Sequence, residues 1–145
     1  MLRLSKKVEY SLLAMQVMAS KPEIVISSKD VSQAFGISPA LIAKVLQALV
    51  HAGLVRSYHG MRGGYQLARD AKTISVADVI NAIEGCEAAI VECQGDHHDS
   101  CDVMSICTIR KPLSILQQRI NSTFASMTVA ELAAPTNHHV SLTLS

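Results

Sequence analysis

Three of the chain's four cysteines fall within fifteen residues, in a polar segment that also carries acidic residues and two histidines. They are Cys93, Cys101 and Cys107, spaced by eight and six residues. Cysteines that serve only in packing usually lie in apolar stretches, so this clustering indicates a ligand set. No C-x-x-C pair occurs, which argues against a zinc ribbon or a thioredoxin-type dithiol. Wide spacings on a loop suit an iron–sulfur cluster, which is larger than a single ion.

Three cysteines leave a fourth ligand position open. His97 and His98 lie between two of the cysteines, and Glu9 is an option if the first helix of one subunit reaches the loop of another. Cys86 is a weaker candidate, because it lies at a predicted helix end beside an apolar run, where a buried structural cysteine is common. Two other interpretations are three free thiols acting as a thiol/disulfide switch, and zinc bound by cysteines and a histidine.

Charge is distributed unevenly along the chain. Residues 1–70 contain nine Lys and Arg against four acids, a formal charge of +5, whereas residues 71–145 contain four against eight, a charge of −4. This division predicts a DNA-binding module joined to a regulatory or assembly module.

The composition predicts a mainly α-helical protein. Hydrophobic residues make up 49% of the 145 residues and aromatic ones only 3%, so the core should consist of aliphatic side chains and methionine. No apolar run is long enough to span a bilayer, and the charged N-terminus does not resemble a signal peptide. We therefore expect a cytoplasmic protein that makes no membrane contact.

Two capped helices separated by a glycine predict a helix-turn-helix. Ser27 and Asp30 fit a capping box for a helix from about Ser28 to Phe35. Ser38 and Pro39 fit the N-cap and first position of a second helix, whose apolar face would pack on the core. An ordinary helical hairpin would show the same pattern, so the residues that follow decide between the two.

The following residues predict a wing. Leu54–Tyr58 and Tyr65–Ala68 have the composition of strands, and the segment between them contains three glycines. A hairpin directly after a recognition helix is typical of the winged helix-turn-helix. Its predicted tip carries His59 and Arg62, and an arginine is favoured in a narrow minor groove. The alternative is a solvated surface hairpin.

A long amphipathic helix is predicted near the C-terminus. Apolar residues recur at steps of 4, 3, 4, 4 and 3, the spacing of a coiled-coil seam. These residues are Ile109, Leu113, Leu116, Ile120, Phe124 and Met127. Pro112 should lie in the first turn, and Cys107 at the helix start, where the positive end of the helix dipole stabilises anionic ligands. We predict a homodimer through Leu113, Leu116, Ile120 and Phe124, although part of the stripe should pack on its own domain. A dimer also matches a pseudo-palindromic operator.

The predicted DNA contacts come from the recognition helix, the wing and the first helix. Lys6, Lys7, Lys44 and Arg62 should mainly neutralise phosphates. The full predicted set is Lys6, Lys7, Ser28, Ser38, Ala40, Lys44, His59, Gly60 and Arg62.

Several stretches together resemble a known family. They are RLSKKVEYSLLAM, LIAKVLQALVHAGLVRSYHGMRGGYQLARD, ISVADVINAIEG, the cysteine triplet and MTVAEL. They resemble the winged-helix iron–sulfur-cluster regulators typified by IscR and NsrR, over roughly the first 132 residues. The resemblance implies a homodimer whose long helices cross, with a [2Fe–2S] or [4Fe–4S] cluster bound before that helix. Cluster state would set promoter affinity in response to iron, nitric oxide or redox stress.

The resemblance also implies a ligand set. Cys93, Cys101 and Cys107 match the family's three cysteine ligands. In the iron–sulfur cluster regulators a histidine completes the set, but Arg110 occupies that position here. In the nitric-oxide sensors an acidic residue of the other subunit's first helix does so, and Glu9 occupies that place. We therefore choose Glu9 as fourth ligand and favour [4Fe–4S]. His59 stands where the family often has arginine, and the recognition helix begins with SPALIAK, so operator preference should differ.

The expected organisation has four parts. Residues 1–72 form the winged-helix domain, 73–107 a linking helix and cysteine loop, 108–132 the dimerisation helix with a short terminal helix, and 133–145 a disordered tail. The expected function is a cluster-controlled, dimeric transcription regulator rather than an enzyme, because no nucleophile or base motif is present and no small-molecule substrate is implied. The alternatives are a cluster-free thiol/disulfide or zinc regulator, and a small electron-transfer or metal-trafficking module.

Overall fold

The computed structural model describes residues 3–91 and 101–134, and its elements confirm the predicted mainly α-helical winged-helix fold. Cys93, His97, His98 and the predicted disordered tail from residue 135 onward lie outside the described residues. Within the described ranges, no helix combines the length and apolar character that crossing a bilayer requires. The elements are α1 (Lys6–Ser20), α2 (Ser28–Phe35), α3 (Pro39–His51), β1 (Val55–Tyr58), β2 (Gly64–Leu67), a 3-10 turn (Ala71–Thr73), α4 (Val76–Glu84), α5 (Arg110–Ser126) and α6 (Val129–Leu132).

Helix α1 forms the centre of the fold. It begins at Lys6, because Ser5 is the N-cap and its hydroxyl accepts a hydrogen bond from the Val8 backbone amide. Met15 and Met18 are fully buried in a core of aliphatic side chains. This agrees with a composition poor in aromatics, since unbranched methionine fills irregular gaps between helices.

The helix-turn-helix is confirmed, including its capping box. The Ser27 amide donates to the Asp30 carboxylate at 3.0 Å, and the Asp30 amide donates to the Ser27 hydroxyl at 3.1 Å. Gly36 ends α2 in the left-handed region with φ of 64°. Ser38 occupies the N-cap position of α3, but its side chain makes no capping hydrogen bond. The predicted N-cap position of Ser38 and first helical position of Pro39 are confirmed.

The wing is a two-stranded antiparallel hairpin that is joined to the helical body. Strand β1 pairs with β2 from Val55 opposite Leu67 to Tyr58 opposite Gly64. The amide of Ile26 donates to the carbonyl of Tyr65 at 2.9 Å, and the Tyr65 amide donates back at 2.8 Å. Ile26 is 1% exposed, so this pair of bonds connects the wing root to the core beside α2.

The C-terminal elements pack against α1 rather than forming a separate layer. Ser75 and Asp78 form a capping box at the start of α4. Ser75 also forms an antiparallel β-bridge with Thr128. The side-chain amide of Gln16 donates a hydrogen bond to the Leu132 backbone carbonyl at 2.6 Å. Val129 is fully buried in the main core, so α6 closes the winged-helix body.

Part of the apolar stripe of helix α5 packs against its own domain, and another part is exposed to solvent. Pro112 lies in the first turn, as predicted. Phe124 packs against the buried cluster of Val8, Val76 and Ile80, whereas Leu116 is 45% exposed. Met127 falls outside the helix in extended conformation, so the regular seam stops one step earlier than its spacing suggests. Dimerisation through this helix stays a prediction.

Candidate functional site

Helix α3 presents a polar surface that is held in place by a buried apolar face. Ile42, Leu46 and Leu49 are 0–1% exposed and fix the helix to the core. On the opposite side, the predicted contact residues Ser38, Ala40 and Lys44 are all exposed, as are Gln47 and His51. Because the Ser38 hydroxyl makes no capping bond, it can donate to a ligand. Gln47 and His51 were not among the predicted contacts, although their helical spacing from Lys44 places them along the same face.

The wing tip is equally open to solvent. His59, Gly60 and Arg62 are exposed, and Gly60 adopts φ of 107°, which side-chain-bearing residues rarely adopt. Ser28, at the first position of α2, is only half-exposed. The tip therefore presents one cation and one imidazole on a short hairpin beside α3, an arrangement suited to contacting a groove and its phosphates.

Two lysines extend the basic surface at the N-terminus of α1. Lys6 and Lys7 are both exposed, and Lys6 Nζ lies 2.7 Å from a Glu9 carboxylate oxygen. The hydrogen bond and the Coulombic attraction of Glu9 raise the pKa of Lys6, so it stays protonated while part of its charge is neutralised. Lys7 makes no salt bridge within residues 3–91 and 101–134, which leaves its full charge for a phosphate.

The cysteine segment leads directly into α5. Cys101 and Cys107 are both half-buried free thiols. Two consecutive turns connect them: the Met104 amide donates to the Cys101 carbonyl at 3.3 Å, and the Ile106 amide donates to the Val103 carbonyl at 3.1 Å. Cys107 precedes the N-cap Ile109 and therefore lies just before the helix rather than inside it. The interpretation of Cys86 as a buried structural cysteine is wrong: it is exposed, because Gly85 ends α4 in the left-handed region and directs the chain outward.

Within the part of the chain that the structure describes, the predicted ligands do not come together. Among residues 3–91 and 101–134, no three His, Cys, Asp or Glu side chains come together as a metal site. Cys101 and Cys107 lie before α5, whereas Glu9 lies on α1, where its side chain is 43% exposed. The described portion of one chain thus supplies two thiols and a separate, solvent-accessible carboxylate.

A buried amide next to this segment was missed from the sequence. Gln117 is only 9% exposed, and its side chain accepts a hydrogen bond from the Ile90 amide at 2.7 Å. Gln117 lies four residues after Leu113 and seven before Phe124, on the face that packs against its own domain. The signal in the sequence was therefore a polar residue at helical spacing from apolar residues that face the protein's own domain.

A comparison with protein-family models identifies the family of this chain. Residues 4–135 match the Rrf2 family model, described as "Iron-dependent Transcriptional regulator". The chain belongs to the Rrf2 family. The family is described as one of transcriptional regulators, and curated relatives are named HTH-type transcriptional regulators.

The chain is similar to proteins and solved structures that are named for different regulatory roles. The chain is 41% identical to the protein rrf2 of Nitratidesulfovibrio vulgaris over 85 residues, which is 59% of this chain and 55% of that protein. The chain spans about half the length of such curated relatives. The structure of CymR, the global cysteine regulator of B. subtilis, matches with a TM-score of 0.74 at 26% identity, over 94% of this chain and all of that chain. The IscR of T. potens matches with a TM-score of 0.70 at 26% identity, over 90% and 85%.

Proposed function

We propose that this Rrf2 regulator is a homodimer whose affinity for promoter DNA is set by an iron–sulfur cluster. Cys93, Cys101 and Cys107 would bind the cluster together with Glu9 of the partner subunit. The observation that carries the proposal is the position of Cys101 and Cys107, two half-buried thiols on consecutive turns immediately ahead of α5.

The chemistry of the donor set fits such a cluster. Thiolates are the usual ligands of iron–sulfur clusters, and Cys101 and Cys107 are free cysteines with partly accessible side chains. Within residues 3–91 and 101–134, Lys6 is the single partner of the Glu9 carboxylate, and the Lys6 side chain is 75% exposed. An exposed ion pair contributes little free energy, so the Glu9 carboxylate can exchange this partner for another. When bound, a cluster supplies reversible redox chemistry and reactivity towards small oxidants or nitric oxide.

The residues of α5 are placed to carry a local change to the DNA-binding surface. Phe124 packs against the buried cluster that joins Val8 of α1 to Val76 and Ile80 of α4, so α5 packs on α4 and on the core that α4 shares with α1. A shift of α5 therefore changes the contacts of α1, which bears Glu9, Lys6 and Lys7. In a dimer, such a shift alters the separation of the two α3 helices, and thereby their fit to successive major grooves.

A second candidate function is a cluster-free thiol regulator. The similarity to CymR, named as a global cysteine regulator, favours it. In this case Cys101 and Cys107, with Cys93, would respond by thiol–disulfide exchange, and iron would play no part. The family description and the acidic residue at Glu9 favour the cluster, because a thiol switch has no use for a carboxylate ligand.

Anaerobic purification tests the proposal. The wild-type protein and the Cys107→Ser and Cys86→Ser variants are isolated without oxygen, and iron and acid-labile sulfide per chain are measured together with the visible spectrum. We expect iron and sulfide in the wild type and in Cys86→Ser, and their loss in Cys107→Ser. The exposed Cys86 is the matched control, because it is also a free cysteine. Colourless wild-type protein without iron would favour the thiol regulator.

A further inference from the structure

The tip of the wing is a tight turn with Met61 and Arg62 at its centre. The Gly63 amide donates a hydrogen bond to the Gly60 carbonyl at 3.0 Å, which closes a β-turn around these two residues. A Cβ on Gly63 would lie 2.5 Å from the Tyr58 carbonyl oxygen, so any side chain there would force the turn open. The glycine therefore keeps the end of the hairpin narrow, with Met61 and Arg62 exposed on it.

Met61 is the most exposed large hydrophobic residue in the part of the chain that the structure describes, at 107% relative exposure. By comparison, Met15 and Met18 are buried in the core, and Met127 is 41% exposed. Isolated apolar residues are common on protein surfaces, so exposure alone does not identify a partner. The exposure of Met61 is nevertheless complete, so its whole apolar side chain is open to a partner that would remove it from water.

The charge of the wing favours a polyanion as that partner. Residues 54–69 contain three arginines and one histidine, and they contain no aspartate or glutamate. Arg62 makes no salt bridge within residues 3–91 and 101–134. Strand β1 contacts α3, so the same partner would also lie near the polar face of that helix. Duplex DNA fits both elements, because a helix enters the major groove while a basic segment reaches the adjacent minor groove.

Insertion into the minor groove gives an apolar side chain a specific role. Methionine, leucine and isoleucine act as wedges between base pairs, where they partly unstack one step and bend the duplex. Unstacking costs least at pyrimidine–purine steps such as TA and CA, which are flexible. A methionine wedge therefore selects a deformable step without forming a hydrogen bond to any base.

The root of the wing is fixed to the body of the protein, so the tip can press into a groove. Tyr65 exchanges two backbone hydrogen bonds with the buried Ile26. The Tyr58 hydroxyl donates to the Gln66 side-chain oxygen at 3.2 Å, and the Gln66 side-chain nitrogen donates to the Pro22 carbonyl. Both strands are thereby linked to the segment that precedes α2, which limits the retreat of the tip from the duplex.

We propose that Met61 is a specificity-determining residue, which inserts between the base pairs of one flexible step in the minor groove beside each half-site. Arg62, its neighbour in the turn, neutralises an adjacent phosphate. The inference rests on the duplex binding in the proposed function and not on the cluster, because none of these residues lies in the cysteine segment. It predicts a sequence preference at positions where no side chain contacts a base edge.

The test compares Met61→Ala with Met61→Leu and with Ile24→Ala as control. Ile24 is also an exposed apolar residue, but it lies between α1 and α2 and outside the predicted DNA contacts. The probe is a duplex that the wild type selects from a random-sequence pool, in whichever iron state binds more tightly. 2-Aminopurine replaces each adenine in turn, since its fluorescence rises when the base is unstacked. We expect a rise at one step per half-site with the wild type and Met61→Leu, and none with Met61→Ala.

The dissociation constant gives a second readout. Kd should rise about 10-fold in Met61→Ala, because one buried apolar side chain is lost, and stay within about 3-fold of the wild type in Met61→Leu. Ile24→Ala should bind as the wild type does. Replacing the unstacked step by AA should weaken wild-type binding about 10-fold and leave Met61→Ala unchanged, since without the wedge this step is not deformed.

The possible results separate this inference from the proposed function. A wild-type Kd in Met61→Ala overturns the inference. A wild-type complex without any unstacked step also overturns it, because Met61 would then be a surface contact only. Equal Kd values with and without iron would contradict cluster control, while an unstacked step that depends on Met61 would still support the wedge. A wild type that retains no duplex in either state would overturn both.

Discussion

Replacing Gly64 by alanine should detach the wing from the body of the protein. A Cβ at this position would lie 2.6 Å from the Ile26 carbonyl oxygen and 2.8 Å from its carbon. Both atoms belong to backbone, so neither can rotate away. Relief requires a shift of β2 from Ile26, which breaks the two hydrogen bonds of 2.8 and 2.9 Å between Ile26 and Tyr65.

The expected cost follows from these two bonds. A typical protein hydrogen bond contributes about 1 kcal/mol, and a buried group left without a partner costs about 1–3 kcal/mol. Since Ile26 is 1% exposed, we expect Gly64→Ala to lower the free energy of unfolding by about 2–4 kcal/mol. For a chain of this size, that corresponds to a fall in Tm of roughly 6–12 °C.

Urea denaturation and duplex binding measure the two consequences. Gly53→Ala is the control: its Cβ would meet nothing within 4 Å, but its φ of 77° makes it strained by about 1–2 kcal/mol. Both variants should lose stability, whereas only Gly64→Ala should lose DNA affinity at a temperature where both are folded. Wild-type affinity in folded Gly64→Ala would show that the attachment of the wing root to Ile26 does not matter for binding.

Three further predictions concern charge, assembly and the fourth ligand. The four predicted phosphate contacts of each subunit, Lys6, Lys7, Lys44 and Arg62, predict that log K of a dimer falls with log salt at a slope of about −7, and Arg62→Ala should make this slope shallower by about 1.8; an unchanged slope would remove Arg62 from the phosphate contacts. Leu116→Glu should weaken the dimer by at least about 100-fold in sedimentation, with circular dichroism unchanged, because a charge would replace an apolar contact; a stable dimer would place the interface elsewhere. Glu9→Ala should speed iron loss to a chelator by about 10-fold or more while the dimer persists, with the exposed Glu23→Ala as control; equal rates in both would exclude Glu9 as a ligand.

Local signals in the sequence were sufficient for the DNA-binding half of the fold. The capping boxes at Ser27 and Ser75 and the glycines that end α2 and α4 act within a few residues, so they can be recognised without tertiary information. The wing was predicted for the same reason. The hydrogen bonds between the wing and Ile26 were not predicted, because they connect residues almost forty positions apart.

The cysteine segment and α5 depend on contacts that periodicity does not encode. The apolar stripe identified an amphipathic helix, but its spacing does not distinguish inward-facing from exposed members. Phe124 packs on its own domain, whereas Leu116 is exposed. The apolar neighbours of Cys86 predict a buried side chain, whereas Cys86 follows the left-handed Gly85 at the end of α4 and is exposed. Gln117 escaped notice because a polar residue on a long helix is normally solvated.

The most direct test of the account is the DNA affinity of one anaerobic preparation before and after its iron is removed. A duplex selected from a random-sequence pool serves as the probe, and fluorescence anisotropy at fixed salt gives Kd for both states. We predict a Kd that differs by at least about 10-fold, corresponding to a coupling free energy of about 1.4 kcal/mol or more. Iron-containing and iron-free protein that bind the selected duplex with the same Kd would contradict the account.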